Sequence, residues 1–324
     1  MGIKGIQEFL GEDWSKVEAL LRGSLHSSVE LIDKTNAHLS SNGGKMLRPT
    51  LSLLVSKACG TLNDDCIRVA AASELLHNAT LLHDDVLDDS SVRRGAPTVL
   101  STLGAKSSVL IGDFWLARAM DLVLRCENHS REILTCFSDT VQDLVEGEML
   151  QMTKAGNGDT TEDDYLRIIY LKTASLFKSV CTGAAIASES GSDSAAAVKK
   201  YGRLLGMAFQ IKDDILDYEG EALGKPTGTD LKEGKITLPL LGAFKKMDGG
   251  QEGEIRRKVS AFPQQPEDCR VIADMVKTLD GAGYARIRLE EYVSQAKEAL
   301  SPLPDSPAKG CLLELADYCG YRKI

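Results

Sequence analysis

Aromatic side chains are scarce in this chain, at 5% of residues, which removes much of the usual material of a β-sheet core. Positive charge is not in excess either. The 38 Lys and Arg are outnumbered by 47 Asp and Glu, a net charge of −9, which excludes the broad basic surface of a general nucleic-acid binder. The eight cysteines (59, 66, 126, 136, 181, 269, 311, 319) contain no CxxC pair, so neither a disulfide framework nor a zinc-ligand spacing is legible. Several lie in apolar stretches, such as Cys59 in LSLLVSKAC and Cys181 in LFKSVCTGAA, and read as buried free thiols of a reducing compartment. No basic start followed by an apolar run marks a signal peptide. No uncharged apolar run approaches the roughly 18 residues of a membrane helix. The expectation is a soluble, cytoplasmic protein.

What is present is helical. Leu and Ala recur through a chain that is 43% hydrophobic, and apolar residues return at helical spacing from end to end. Gly, Pro, Ser and Asn clusters mark loops at 40–49, 154–161, 188–194, 247–253, 262–268 and 301–310. None is long or biased enough to be a domain linker. The reading is one all-α domain over residues 1–324.

One internal echo stands out. ATLLHDDVLDD (79–89) and AFQIKDDILDY (208–218) place DDxxD in register, at Asp84–Asp88 and Asp213–Asp217. On a helix, residues i and i+4 share a face, so Asp84 and Asp88 point together, as do Asp213 and Asp217. Asp85 and Asp214 lie about 100° further round, which is expected to leave them near the same rim. Like charges at this spacing destabilise an isolated helix by a few tenths of a kcal/mol per pair. A single acidic pair is most often a solvated face. Two copies on otherwise apolar helices imply instead carboxylates turned into a shared cavity. Such hard oxygen ligands suit Mg²⁺, which keeps waters and bridges to phosphates. Neither segment has the alternating ligands and central Gly of an EF-hand. Carboxylates and Mg²⁺ together make a diphosphate clamp that stabilises charge on a departing pyrophosphate. If the leaving group parts from an allylic carbon, a carbocation remains.

A diphosphate also needs cations. Arg93 and Arg94 follow the first motif directly. Gly43, Gly44, Lys45 and Arg48 form a Gly-rich loop before Pro49, where backbone amides and two cations can converge on phosphate. Lys172 and Thr173 sit in the helical YLKTASLF. Lys225 and Lys235 sit in the Gly-rich EGEALGKPTGTDLKEGKIT after the second motif, a segment expected to close as a lid. Each has a plainer alternative: a solvated lysine, charge compensation at Arg93–Arg94, and a packed core histidine at His77.

These motifs together resemble the trans-isoprenyl (polyprenyl) diphosphate synthase family. GGKMLRP (43–49) is similar to its GGKRxRP element, and LLHDDVLDDSSVRRG (81–95) to its first aspartate-rich motif. YLKTASLF, FQIKDDILD and GKPTGTDLKEGKITLPLL follow in the family's order. The resemblance implies an all-helical fold around a central active-site cavity, usually homodimeric. It implies that isopentenyl diphosphate condenses with an allylic diphosphate by ionisation, condensation and elimination. Asp84, Asp85, Asp88, Asp213, Asp214 and Asp217 would handle Mg²⁺, about three ions per site once substrate is bound. Arg93, Lys172, Lys225 and Lys235 would hold the allylic diphosphate. Gly44, Lys45, Arg48, His77 and Arg94 would hold isopentenyl diphosphate, and Thr173 and Gln210 would steady the cation. Met46 departs from the family, which usually has Arg there; weakened support rather than a lost site is expected. No side-chain base is obvious, so the resemblance leaves the final proton to the departing pyrophosphate.

Product length is read from the residues before the first motif. Ala79 and Thr80 lie about 6–7.5 Å up the helix from Asp84, and Leu76 and His77 about 10–12 Å. None of these is a large aromatic plug. The small residues fit a product longer than farnesyl, in the hexaprenyl-to-decaprenyl range, although close packing of another helix would also require them. The alternatives are a geranylgeranyl or farnesyl diphosphate synthase, a class I terpene cyclase, a non-catalytic subunit of a heteromeric synthase, and a purely structural helical protein. A cyclase usually carries a different second motif and needs no Lys45/Arg48 site. A non-catalytic subunit typically loses one aspartate motif, whereas this chain keeps both.

Overall fold

Short polar side chains open several helices by satisfying their first unpaired N–H groups. In the computed structural model, which describes residues 2–41, 44–219, 228–261 and 265–322, the Asn63 side chain accepts from the Cys66 N–H at 3.0 Å and starts the helix that carries the first motif. Thr161 and Asp248 each complete a reciprocal capping box, with Asp164 and Gln251. The 247–253 loop is therefore shorter than expected, because helix begins at Gly249. Likewise helix runs through Asn157 into the 154–161 segment and resumes at Pro266 and Pro307 in the last two.

The described helices form two compact units. The first comprises Met1–Ser138, Ser179–Lys199 and Leu300–Leu315. It begins with α1 (Ile3–Ser24), α2 (Glu30–Ser41), α3 (Leu47–Cys59), α4 (Asp64–Leu87), α5 (Val99–Leu103) and α6 (Ala105–Leu124). Between α4 and α5 lies a hairpin of two-residue strands, β1 (Val92–Arg93) and β2 (Ala96–Pro97). Its turn residues Arg94 and Gly95 both have positive φ, 53° and 77°, as the tightest hairpins require. This hairpin is the one piece of sheet among the described residues, and sequence periodicity does not announce it. α4 packs chiefly on α6, and also on α3 and α1. Leu51, Leu53, Leu54, Leu75 and Leu76 are fully enclosed there.

The second unit comprises Asp139–Lys178, Lys200–Ala299 and Ala316–Ile324. It holds α8 (Glu162–Ile169), α11 (Thr229–Lys232) and those parts of α7 (Ser130–Asn157), α9 (Ser175–Ala187) and α10 (Ser192–Glu219) that fall within these ranges. α12 (Leu238–Phe244) is buried along its whole length and packs on α14 (Pro266–Thr278) and α15 (Gly281–Ala299). α13 (Gly249–Ser260) also lies here, and α16 (Pro307–Tyr321) belongs to this unit from Ala316 onward. Between α8 and α9 the chain widens into a π-helical turn, Tyr170–Ala174, where the Ser175 N–H reaches the Tyr170 carbonyl five residues back. No helix among the described residues is long and apolar enough to cross a membrane.

Candidate active site

Both DDxxD motifs fall on helices, as the spacing predicts, and both occupy the C-terminal turns, of α4 and of α10. Carboxylates there add to the negative end of the helix dipole, which makes each terminus a place that calls for a cation. In the first motif Asp84 is half-buried and Asp88, which caps α4, is exposed. Asp85 departs from the expected rim. It is 3% exposed and accepts a hydrogen bond from Arg93 Nε at 2.7 Å. Although the helix turns only 100° from Asp84 to Asp85, the surrounding packing encloses the Asp85 carboxylate. Burial raises the Asp85 pKa, Arg93 offsets this, and Asp88 adds to it.

The hairpin explains where Arg93 and Arg94 go. β1 returns Arg93 onto Asp85, and the turn places the Arg94 guanidinium against Gly44. A Cβ at residue 44 would come within 2.5 Å of that guanidinium, so glycine there gives Arg94 its place. Burial holds the His77 imidazole well below its ordinary range, with Arg48, Arg94 and Arg93 as the charges that reinforce it. His77 is thus a neutral imidazole among three guanidinium groups. Arg48 also faces the buried Glu74, whose carboxyl is raised by burial and bonded by Asn78 at 3.1 Å. Lys45 is exposed just before α3. Met46 adopts a left-handed conformation (φ 48°), and its carbonyl accepts from the Thr50 hydroxyl at 2.8 Å. Gly43 and Lys225 lie outside the described residues.

The second motif repeats the pattern. Asp213 keeps 46% of its side chain exposed and accepts from Arg322 Nη2 at 2.5 Å. Arg322 also donates to the Phe209 carbonyl at 3.2 Å and lies 3.7 Å over the Phe209 ring. Nothing near residue 322 in the sequence signals this role. Asp217 accepts from the Thr229 and Asp230 N–H groups, both at 3.2 Å, at the start of α11. Asp214, like Asp85, is turned inward, at 4% exposure. Its two oxygens accept from Gln210 Nε2 at 2.8 Å and from the Tyr165 hydroxyl at 2.6 Å. Burial pushes Asp214 up to about 7 against the pull of those two donors. Burial raises Asp217 and Asp230 as well. Tyr165 went unnoticed in the sequence, where it stands two turns before Lys172 with no partner in sight.

Lys172 and Thr173 sit on the π-helical turn. Lys172 pairs with Glu148 of α7, and Gly147 beside it lets the backbones close up: a Cβ there would meet Leu171 and Lys172 at 2.8 Å. Thr173 Oγ1 donates to Gln210 Oε1 at 2.7 Å. Lys235 pairs with Glu233.

Among the described residues no three His, Cys, Asp or Glu side chains form a ready-made metal site. Each motif instead offers its first and last carboxylates, Asp84 with Asp88 and Asp213 with Asp217, near a helix C-terminus. That donor set fits Mg²⁺, whose octahedral shell is usually completed by water and substrate phosphate.

The sequence comparison settles the lineage. A family model described as Polyprenyl synthetase matches residues 29–278. The chain belongs to the polyprenyl synthetase family. It is 37% identical to the octaprenyl diphosphate synthase of Escherichia coli K12, covering 99% of both chains. Its fold matches a crystal structure of a decaprenyl diphosphate synthase from Rhodobacter capsulatus with a TM-score of 0.93, at 36% identity and 98% coverage of each chain. It also matches a polyprenyl synthase from Caulobacter crescentus complexed with calcium and isoprenyl diphosphate, with a TM-score of 0.92 at 33% identity, covering 100% of this chain and 98% of that one. The all-α architecture is thus that of this family.

Proposed function

We propose that the chain is a trans-prenyltransferase that condenses isopentenyl diphosphate with an allylic diphosphate and elongates it beyond farnesyl. The observation that carries this reading is the group of Arg94, set against Gly44, with Arg48 and the neutral His77, separate from Arg93, which pairs with Asp85. An enzyme that only ionises one diphosphate has no use for a second cation cluster of this kind.

Asp84, Asp88, Asp213 and Asp217 are the direct candidates for holding Mg²⁺ on the allylic diphosphate, with Asp85 and Asp214 behind them. When bound, Mg²⁺ supplies charge neutralisation of the departing pyrophosphate. Arg93, Lys172, Lys225 and Lys235 neutralise the same group. Gly44, Lys45, Arg48, His77 and Arg94 hold isopentenyl diphosphate so that its double bond meets the allylic carbon. Being uncharged, His77 can approach the apolar part of that substrate while the arginines take its phosphates. Thr173 and Gln210 turn oxygen toward the cation, and the proton released afterwards passes to pyrophosphate.

The working form is a homodimer formed by the whole chain as one domain. Support comes from apolar side chains left open on Leu110 of α6, and on Val145, Met149 and Met152 of α7, which share a helical face. The setting is the cytoplasm, in keeping with cysteines that form no disulfide among the described residues. The deciding experiment gives purified protein Mg²⁺ and geranyl, farnesyl or geranylgeranyl diphosphate, with and without isopentenyl diphosphate. Elongation that requires isopentenyl diphosphate is expected. Hydrocarbon released from the allylic substrate alone would establish a cyclase instead.

A further inference from the structure

Around Asp214 runs a chain of hydrogen bonds whose protons all point toward its carboxylate. Thr173 Oγ1 donates to Gln210 Oε1 (2.7 Å), Gln210 Nε2 donates to Asp214 Oδ1 (2.8 Å), and Tyr165 donates to Asp214 Oδ2 (2.6 Å). The fold builds this chain closely. A Cβ on Gly206 would stand 2.5 Å from Ala174 Cα, so α10 presses against the π-helical turn and brings Gln210, one turn later, onto Thr173.

Both Asp214 oxygens act as acceptors here, whereas a side-chain amide has a donor end and an acceptor end. With both Asp214 oxygens occupied by donors, the amide of Gln210 cannot turn over without setting its carbonyl against the carboxylate. Its oxygen is therefore committed to Thr173. The single hydroxyl proton of Thr173 is committed to Gln210 in turn, which leaves the hydroxyl with only lone pairs to present elsewhere. Reversed, the same residues would turn N–H and O–H dipoles outward.

We propose that Asp214 and Tyr165 are positioning residues: they fix the direction of the Thr173–Gln210 chain so that oxygen lone pairs, not protons, face the developing allylic cation. This rests on the reading that Thr173 and Gln210 border that cation. It gives the inward aspartate of the second motif a task other than metal ligation, in keeping with its burial behind two donors. Dipoles aligned in advance act on the charge that develops in the transition state, so the effect belongs in kcat rather than in substrate binding.

The test reverses the chain and then restores it. In Asp214→Asn the new amide can still accept from Tyr165, but it offers N–H to residue 210 and forces Gln210 to turn over. In Gln210→Glu two carboxylates confront one another. In the double variant the asparagine N–H donates to the new glutamate at position 210, whose other oxygen again accepts from Thr173. Steady-state kinetics with Mg²⁺, isopentenyl diphosphate and an allylic primer are expected to show kcat down about 10–100-fold in each single variant, with the allylic KM within about twofold. The double variant should return to within about fivefold of the wild type, a non-additivity that independent roles do not produce. Tyr165→Phe should lower kcat by about threefold to tenfold. Titration calorimetry of Mg²⁺ with inorganic pyrophosphate should give Asp214→Asn an affinity within about threefold of the wild type, because the ligands remain.

A double variant no better than the worse single would overturn the proposal. Loss of Mg²⁺–pyrophosphate binding in Asp214→Asn would overturn it too, by making Asp214 a ligand. If the wild type elongates and the single variants keep their kcat, this inference alone fails. If the wild type yields no elongated product, the functional reading fails with it.

Discussion

Replacing Thr80 by Phe should shorten the product, whereas the same change at Ala79 should chiefly damage packing. The difference comes from burial along α4. Leu76 and Ala79 are 0% and 1% exposed, while Thr80 keeps accessible surface on the face it shares with Asp84, one turn away. Of Leu76, Ala79 and Thr80, Thr80 is the one placed to meet a growing tail. A phenyl ring there would stand about 6 Å above the level of Asp84. Its cost to the fold is small: the Thr80 hydroxyl loses one bond to the His77 carbonyl at 2.8 Å, worth about 0.5–1.5 kcal/mol. At Ala79 the ring has no open space, and overpacking should cost about 1–3 kcal/mol. The assay incubates each variant with Mg²⁺, isopentenyl diphosphate and farnesyl diphosphate and sizes the products by mass spectrometry, beside thermal melting. Expected are a shorter product with a near-native melting temperature for Thr80→Phe, and a melting temperature lowered by several degrees for Ala79→Phe. An unchanged product distribution in Thr80→Phe, or shortening confined to Ala79→Phe, would refute the assignment of the tail to the Asp84 face.

Three further outcomes are expected. Arg322→Ala should lose about 1–3 kcal/mol in denaturant unfolding, because the bonds to Asp213 and to the Phe209 carbonyl and the stack on the Phe209 ring go together; Arg322→Lys should recover part of this, and an unchanged midpoint would contradict the pairing. His77 is neutral in the fold but titrates at its ordinary 6.5 once unfolded. The unfolded state therefore binds the extra proton, and stability falls as pH drops through 6.5. Between pH 7.5 and 5.5 the loss should be about 1.4 kcal/mol greater in the wild type than in His77→Gln; equal pH dependence would show that the imidazole is protonated in place. Leu110→Asp should shift sedimentation from dimer toward monomer without lowering helix content, whereas a wild type that sediments as a monomer would sink the proposed interface.

The helical fold was legible because apolar residues recur at helical spacing, and the two DDxxD motifs were legible because i and i+4 share a face. The division of labour inside each motif was not. The second aspartate lies close to the rim on an idealised helix, and only the surrounding packing turns Asp85 and Asp214 inward, onto Arg93 and onto Tyr165 with Gln210. The hairpin that folds Arg93 back has two-residue strands, too short to leave an alternating pattern. The π-helical turn at Lys172 and Thr173 reads as ordinary helix, because one extra residue in a turn leaves no compositional mark. Arg322 meets Asp213 across 109 residues of sequence, a distance over which no local signal operates.

The central claim is that this chain joins isopentenyl units to an allylic diphosphate with Mg²⁺. Its most direct test is mass-spectrometric sizing of the products that purified protein makes from farnesyl diphosphate and isopentenyl diphosphate, with Mg²⁺ and with excess chelator. A ladder of prenyl diphosphates extending beyond farnesyl is expected with Mg²⁺ and none with chelator. Unconsumed isopentenyl diphosphate in the presence of Mg²⁺ would contradict the claim.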